Sequence, residues 1–253
     1  MMPVKRSGLL RLASYNVQKC IGLDLRRLPR RIVGVLDGLQ ADIVVLQEAD
    51  KRLPPRPAAL PPPVLAAAGW RVADFGPKGS LGWHGNAIIW REGAPLDLIE
   101  MDQIPLPGLE PRGAVRAEFD TMQGRVRVIG LHLGLITRDR YEQIRSLAAY
   151  CARLPDIPTV WAGDFNEWSR LPALDSHAPR MTFLPPLPSY PAPRPMGPLD
   201  RIALGGGLRA SGHGVWGGRP ARFASDHLPV WADLVLPALL QHEQGIVDAG
   251  LHP

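Results

Sequence analysis

Apolar and polar residues alternate or cluster in short runs along most of this chain. Leu9 to Val17 reads as a strand ending in Ser14-Tyr15-Asn16. Leu25, Leu28, Ile32, Val35, Leu36 and Leu39 recur at helical spacing and predict a helix over Leu25–Leu39, with Pro29 tolerable near its first turn. Asp42 to Gln47 is an almost unbroken apolar run, the pattern of a strand covered on both faces. Trp70–Phe75, Asn86–Trp90, Leu96–Met101, Ala114–Asp120 and Arg125–Leu131 follow as strands joined by turn residues, antiparallel in character. Thr137 is placed to cap a helix reaching Leu154, whose apolar face is Tyr141, Ile144, Leu147, Ala148, Cys151 and Leu154. Thr159–Gly163, Leu199–Leu204 and Leu228–Leu236 complete the predicted strands.

Two proline-rich stretches interrupt this order. Pro54–Pro63 reads as a surface excursion, because strand patterning resumes after it. Pro172–Pro195 is loop-rich, and the stretch Pro185–Pro198 runs directly into Asp200, which places it at the border of the candidate site. Helices are few, strands are many, and the alternation is irregular. Two mixed sheets packed face to face, with helices outside, fit that order. One α/β domain over residues 9–236 is expected, followed by a tail, 237–253, with a weak helical reading and no functional one.

Composition sharpens the picture only modestly. A chain of 253 residues with 45% hydrophobic residues can fill a large core, so global disorder is excluded. The net charge of +5 suits a polyanionic partner such as nucleic acid or an anionic membrane surface, although an arginine-rich composition alone would give the same value. Cys20 and Cys151 both sit in apolar company, and no Cys/His cluster has zinc spacing. Buried free thiols in a reducing cytoplasm are expected. Lys5 and Arg6 are followed by no apolar run, and no stretch approaches about 20 apolar residues, so neither a signal peptide nor a membrane insertion is expected.

The chemistry sits at strand ends. Asn16 ends one strand and Glu48 follows another; His132 interrupts the run Ile129-Gly130-Leu131; Asp164 and Asn166 follow Val160-Trp161-Ala162; Asp200 opens a strand and Asp226-His227 precedes the last. A polar group at the end of a strand is held rigidly, as catalysis requires. Singly, each reads more readily as a satisfied structural residue. Together they offer carboxylates and an amide oxygen to a hard divalent cation, and imidazoles for proton transfer or phosphate contact. Neither a Gly-x-Ser-x-Gly elbow nor a Gly-x-x-x-x-Gly-Lys phosphate loop is present.

Ser14-Tyr15-Asn16-Val17, Leu46-Gln47-Glu48, Gly130-Leu131-His132-Leu133, Gly163-Asp164-Phe165-Asn166, Leu199-Asp200-Arg201-Ile202 and Ser225-Asp226-His227-Leu228-Pro229-Val230 follow one another in this order. In that order they resemble the signature motifs of the endonuclease/exonuclease/phosphatase superfamily, over nearly the whole chain. The resemblance implies a four-layer α/β sandwich and a phosphoester hydrolase using Mg2+ or Mn2+, with one metal ion or two. It implies that Glu48 binds metal with Asn16 close by and Asp226 as a further metal or water ligand. Asp164 would orient or deprotonate the attacking water, and Asn166 would hold a phosphoryl oxygen or the nucleophile. His227 would contact phosphate or move a proton, with Asp200 accepting its other ring N–H. His132 would contact phosphate or act as a general acid. Similar Gly-Asn-Ala stretches occur in bacterial members, so Asn86 reads equally as a phosphate donor or a strand-start turn. Arg112 reads as a phosphate contact or as a surface ion pair.

Departures from the family's better-known branches narrow the substrate. Abasic-site endonucleases carry an Asp shortly after the first-strand Asn; here Val17, Gln18 and Lys19 follow Asn16. Their mid-chain Tyr and second Asn have no convincing match. Secreted deoxyribonucleases carry signals and disulfides, and secreted sphingomyelinases a hydrophobic hairpin. The sequence therefore points to a monomeric, nuclease-like phosphodiesterase of the compact bacterial branch. A phospholipid-headgroup or small-phosphoester hydrolase is the alternative. A dead scaffold is disfavoured by the presence of Glu48, Asp164 and His227 together.

Overall fold

A computed structural model describes residues 2, 3, 5, 8–169 and 174–237. The tail 238–253 lies outside the described residues. Strands β1 (Leu10–Asn16) and β2 (Ile43–Gln47) are parallel neighbours, joined by helix α1 (Pro29–Leu39). Further out, β4 (Ala87–Arg91) pairs antiparallel with β2, and β3 (Trp70–Val72) with β4. On the other side β12 (Val230–Val235) pairs antiparallel with β1, and β11 (Arg209–Val215) with β12. These six strands form one sheet in the order β11-β12-β1-β2-β4-β3.

The second sheet repeats the plan. Its parallel neighbours are β7 (Gly124–His132) and β8 (Thr159–Asp164), joined by α3 (Thr137–Cys151). Antiparallel partners extend it on both sides: β6 (Arg112–Thr121) and β5 (Leu96–Leu106) beyond β7, β10 (Asp200–Gly205) and β9 (Thr182–Phe183) beyond β8. The short helices α2 (Pro62–Ala66) and α4 (Ala221–Ala224) lie in connections.

Both faces of each sheet are covered, giving four layers. Leu12, Ile43, Val45 and Ile88 face Val115, Val128, Val160 and Ala162 in the core between the sheets. Ile32, Val35, Leu36 and Leu39 of α1 cover Ala13, Tyr15, Val44 and Leu46 on one outer face. Ile144 and Leu147 of α3 cover Ile129, Leu131 and Trp161 on the other. This double covering is why the central strands read as continuous apolar runs. Gly130 sits where the sheets approach each other: a Cβ there would lie 2.6 Å from Val45 Cγ1.

Several expected elements shift. The first helix begins at Pro29 rather than Leu25, which is 86% exposed with φ 60°. Proline at the first helical position fixes φ and needs no N–H there. Thr137 is the first helical residue and makes no capping bond; its Oγ1 instead accepts from Arg140 Nη2 at 3.0 Å. The fifth strand runs on to Leu106. The strand Arg209–Val215 escaped sequence reading because Arg-Ala-Ser-Gly-His-Gly-Val has only one β-branched residue and two glycines. Within the proline-rich stretch 172–195, Thr182–Phe183 forms the edge strand β9. Among the described residues no helix is long and apolar enough to cross a membrane.

A buried ion pair locks β1 to β12. Arg11 and Asp233 are register partners, and Arg11 Nε and Nη2 donate to the two Asp233 carboxylate oxygens at 2.7 and 2.8 Å. The guanidinium also lies 4.9 Å from the Trp231 ring centroid. Removing one partner strands the other charge in the interior. Arg11→Ala is therefore expected to lower unfolding free energy by about 3–5 kcal/mol in urea titrations, whereas a loss under about 1 kcal/mol would mean the pair is solvated.

Candidate active site

The topology gathers the polar strand ends at one edge of the sandwich. The parallel strands β1, β2, β7 and β8 deliver Asn16, Glu48, His132 and Asp164 from their C-terminal ends. Because β10 and β12 run antiparallel to them, they contribute their first residues at the same edge: Asp200 opposite Asp164 in register, and Asp226-His227 just before Val230.

Asp164 is the meeting point. Its Oδ2 accepts from Asn16 Nδ2 at 3.0 Å, a bond from one sheet to the other. The same oxygen lies 3.5 Å from His132 Nε2 and 3.7 Å from His227 Nε2. Asp164 Oδ1 accepts the Asn166 backbone N–H at 2.9 Å, while Asn166 Nδ2 donates to the Leu133 carbonyl. Asn16 Oδ1 accepts the Gln18 N–H at 3.0 Å, so the amide is fixed at both ends.

His227 is oriented from behind. Its Nδ1 donates to Asp200 Oδ2 at 2.9 Å, the pairing expected from the sequence. Ser189 Oγ donates to the same oxygen at 2.6 Å, a partner hidden in the proline-rich loop that no motif signals. Ser225 Oγ donates to the Asn16 carbonyl at 2.7 Å, which ties the Asp226-His227 turn to β1. Lys19 was also missed as a site residue: its ammonium bonds to the Glu48 carboxylate. Glu48 and Asn166 take left-handed backbone conformations, φ 53° and 52°, which non-glycine residues adopt at a cost and which cluster at functional sites.

The two histidines are driven apart electrically. Burial, with Arg112 nearby, lowers His132 to about 4 despite the Asp164 carboxylate. His227 is equally buried, but Asp200, then Asp164 and Asp226, overcome the desolvation penalty and raise it to about 10. Burial likewise opposes ionisation of Glu48, yet His132 and Lys19 prevail and hold its carboxyl below the usual range. Asp226 is raised, by burial first and by the Glu48 charge as well.

Asn86 and Arg112 lie at the margin. Asn86 is buried and donates Nδ2 to the Gly113 carbonyl at 2.9 Å, tying the turn before β4 to β6. Arg112 pairs with Glu110, Nη2 to Oε2 at 2.8 Å, and its charge acts on both His132 and His84. It is at once an ion-pair member and a cation beside the site.

The donor set suits a hard divalent cation. Asp164, Asp200 and His227 place one ligand atom each within 4.8 Å of one another, a closeness that the Asp200–His227 bond itself accounts for. The Glu48 charge raises the cost of ionising Asp226, and Lys19 is bonded to Glu48. Oxygen donors of like charge facing one another are what magnesium or manganese offsets.

Acids, amides and imidazoles thus converge at one edge of a two-sheet α/β sandwich. The sequence profile of the Endonuclease/Exonuclease/phosphatase family matches residues 13–227, and the chain belongs to that family. Its members are hydrolytic phosphoesterases. Solved structures share the fold at low identity. An endonuclease/exonuclease/phosphatase from Beutenbergia cavernae is 22% identical with TM-score 0.69, over 90% of this chain and 72% of that one. Danio rerio TDP2 complexed with a single-strand DNA product is 18% identical with TM-score 0.68, over 90% of this chain and 100% of that one. A mannosyl-6-phosphatase from Bacteroides thetaiotaomicron gives 18%, 0.68, 90% and 100% on the same measures. No curated protein sequence matches the chain.

In the metal-free protein the histidines are expected to titrate on opposite sides of the ordinary value. His227, raised, stays protonated until pH rises through about 10; His132, lowered, stays neutral until pH falls through about 4. Imidazole NMR in the presence of EDTA measures both. Two ordinary titrations near pH 6.5 would refute the assigned environments.

Proposed function

We propose that this protein is a divalent-metal-dependent phosphodiesterase of nuclease type. The observation that carries this reading is Asp164: one buried carboxylate touched by Asn16 from the opposite sheet and faced by two imidazoles, whose charges act in turn on Glu48 and Asp226. Hydrolysis of a phosphodiester requires an activated water, an in-line leaving group, and neutralised non-bridging oxygens.

In this reading Glu48 and Asp226 hold magnesium or manganese, with the Asn16 amide beside them. The bound cation would polarise water and offset charge on the phosphate. Asp164, aimed by Asn16 and by the Asn166 N–H, positions the attacking water and accepts its proton. Asn166 offers its amide to the phosphoryl group. His227, charged at neutral pH and held by Asp200, donates from Nε2 to a phosphoryl or leaving oxygen. His132, neutral at that pH, donates a hydrogen bond to phosphate, which its lowered proton affinity favours over a general-acid role. Arg112, and Asn86 beside it, border the phosphate.

The net charge of +5 supports a polyanionic substrate over a small isolated phosphoester. Turnover of bis-p-nitrophenyl phosphate and of plasmid DNA is expected with magnesium or manganese and lost in EDTA. Asp164→Asn and His227→Ala should each lower kcat by about 10²–10⁴-fold. Cleavage of DNA should fall steeply between about 50 and 200 mM salt, while bis-p-nitrophenyl phosphate turnover barely moves. Turnover of small esters alone, without salt dependence, would replace the nuclease reading with the small-phosphoester one. Full activity in EDTA would remove the metal.

A further inference from the structure

Beside His227 stands a pair of aromatic rings that the proposed mechanism does not use. The Tyr190 ring lies 4.9 Å from the His227 imidazole, centroid to centroid, at 48°. Trp168 meets Tyr190 at 5.8 Å and 88°, so the two rings form the walls of a corner. Trp168 is 57% exposed. An exposed indole at the rim of a polar site offers a large flat apolar surface to a ligand.

The corner is built, not incidental. Arg201, adjacent to Asp200 and buried, donates to the carbonyls of both Glu167 and Ser169, which flank Trp168, and to that of Pro198. The backbone on either side of the indole is thereby fixed and its side chain presented outward. The loop opposite is closed by Tyr190 and Gly197, each donating its N–H to the other's carbonyl. Gly197 gives the indole its seat: a Cβ there would lie 2.7 Å from the Trp168 ring. Trp168 stands two residues beyond Asn166, and Tyr190 one beyond Ser189, so both walls are anchored to residues that hold the site.

We infer that Trp168 and Tyr190 form a binding corner for the nucleobase attached to the phosphate that His227 contacts. A flat ring can lie on one wall and meet the other edge to face, the two arrangements aromatic rings prefer. Every base has such a face, so the corner would select nucleotides over alkyl phosphoesters without choosing among sequences. The positive net charge favours the same class of substrate. This inference rests on the phosphodiesterase reading for where the phosphate lies.

Calorimetric titration of the whole chain with magnesium present tests it without requiring turnover. Thymidine 5′-monophosphate and the methyl glycoside of 2-deoxyribofuranose 5-phosphate share the closed sugar and the phosphate, and a methoxy group replaces the base in the second. The wild-type protein should bind the first about tenfold more tightly or better, the size of one base–aromatic stack. Trp168→Ala should erase most of that preference by weakening the nucleotide, and Trp168→Phe should restore part of it. Equal binding of the two ligands by the wild type would overturn the base assignment. Equal weakening of both in Trp168→Ala would assign the corner to the sugar and overturn it too. Failure of the phosphodiesterase reading would be distinct: no EDTA-sensitive turnover of bis-p-nitrophenyl phosphate.

Discussion

The hydrogen bond from Asn16 to Asp164 joins the two sheets at the edge where the polar groups gather. Asn16 ends β1 in one sheet and Asp164 ends β8 in the other, and the bond is buried at 3.0 Å. A carboxylate buried in that setting must be satisfied by donors, or it would destabilise the fold. Asn16 and the Asn166 N–H supply those donors, and the imidazoles flank the same oxygen. The requirement fixes how the sheets stack, since a shift of one against the other would break the bond and misplace every residue around it. Gly130 allows the close approach of the sheets that this geometry needs.

The remaining polarity follows from how each group is compensated. His132 and His227 approach the same carboxylate and are equally hidden, yet they sit in opposite charge states at neutral pH. Asp200 makes the difference, because it binds the far side of His227 alone and is itself steadied by Ser189. One imidazole is thus a fixed cation and the other a neutral donor. Pairs of titratable groups pushed apart in this way are how a site divides its chemical labour. Lys19 plays a comparable part beside Glu48, neutralising a carboxylate that burial would otherwise disfavour.

Much of this was legible in the sequence because rigid strand ends carry a double signal. An apolar run broken by a single acid, amide or imidazole, as at Asn16, Glu48 and Asp164, announces both the element and the residue it aims. The two mixed sheets followed from the order of those runs, whereas the Asp200–His227 pair was implied by the family resemblance. Ser189, Lys19 and the Trp168–Tyr190 corner were not legible, since they sit on irregular backbone that only tertiary contacts fix. Arg201 shows why: the Leu199-Asp200-Arg201-Ile202 motif marks its position but not its partners, and three of its bonds hold two distant loops in place. The β11 strand was hidden for a different reason. Its glycines oppose extended structure locally, and pairing with β12 overrides them.

A divalent cation, if it binds as proposed, would be held by Glu48 and Asp226 beside the Asn16 amide. Anomalous diffraction from crystals soaked in manganese tests this most directly. The account predicts a manganese peak bonded to Glu48 and Asp226 carboxylate oxygens, within reach of the Asn16 amide, with His227 still bound to Asp200. A peak that displaces His227 from Asp200 and is ligated by Asp164, Asp200 and His227, or no peak at this edge of the sandwich, would contradict it.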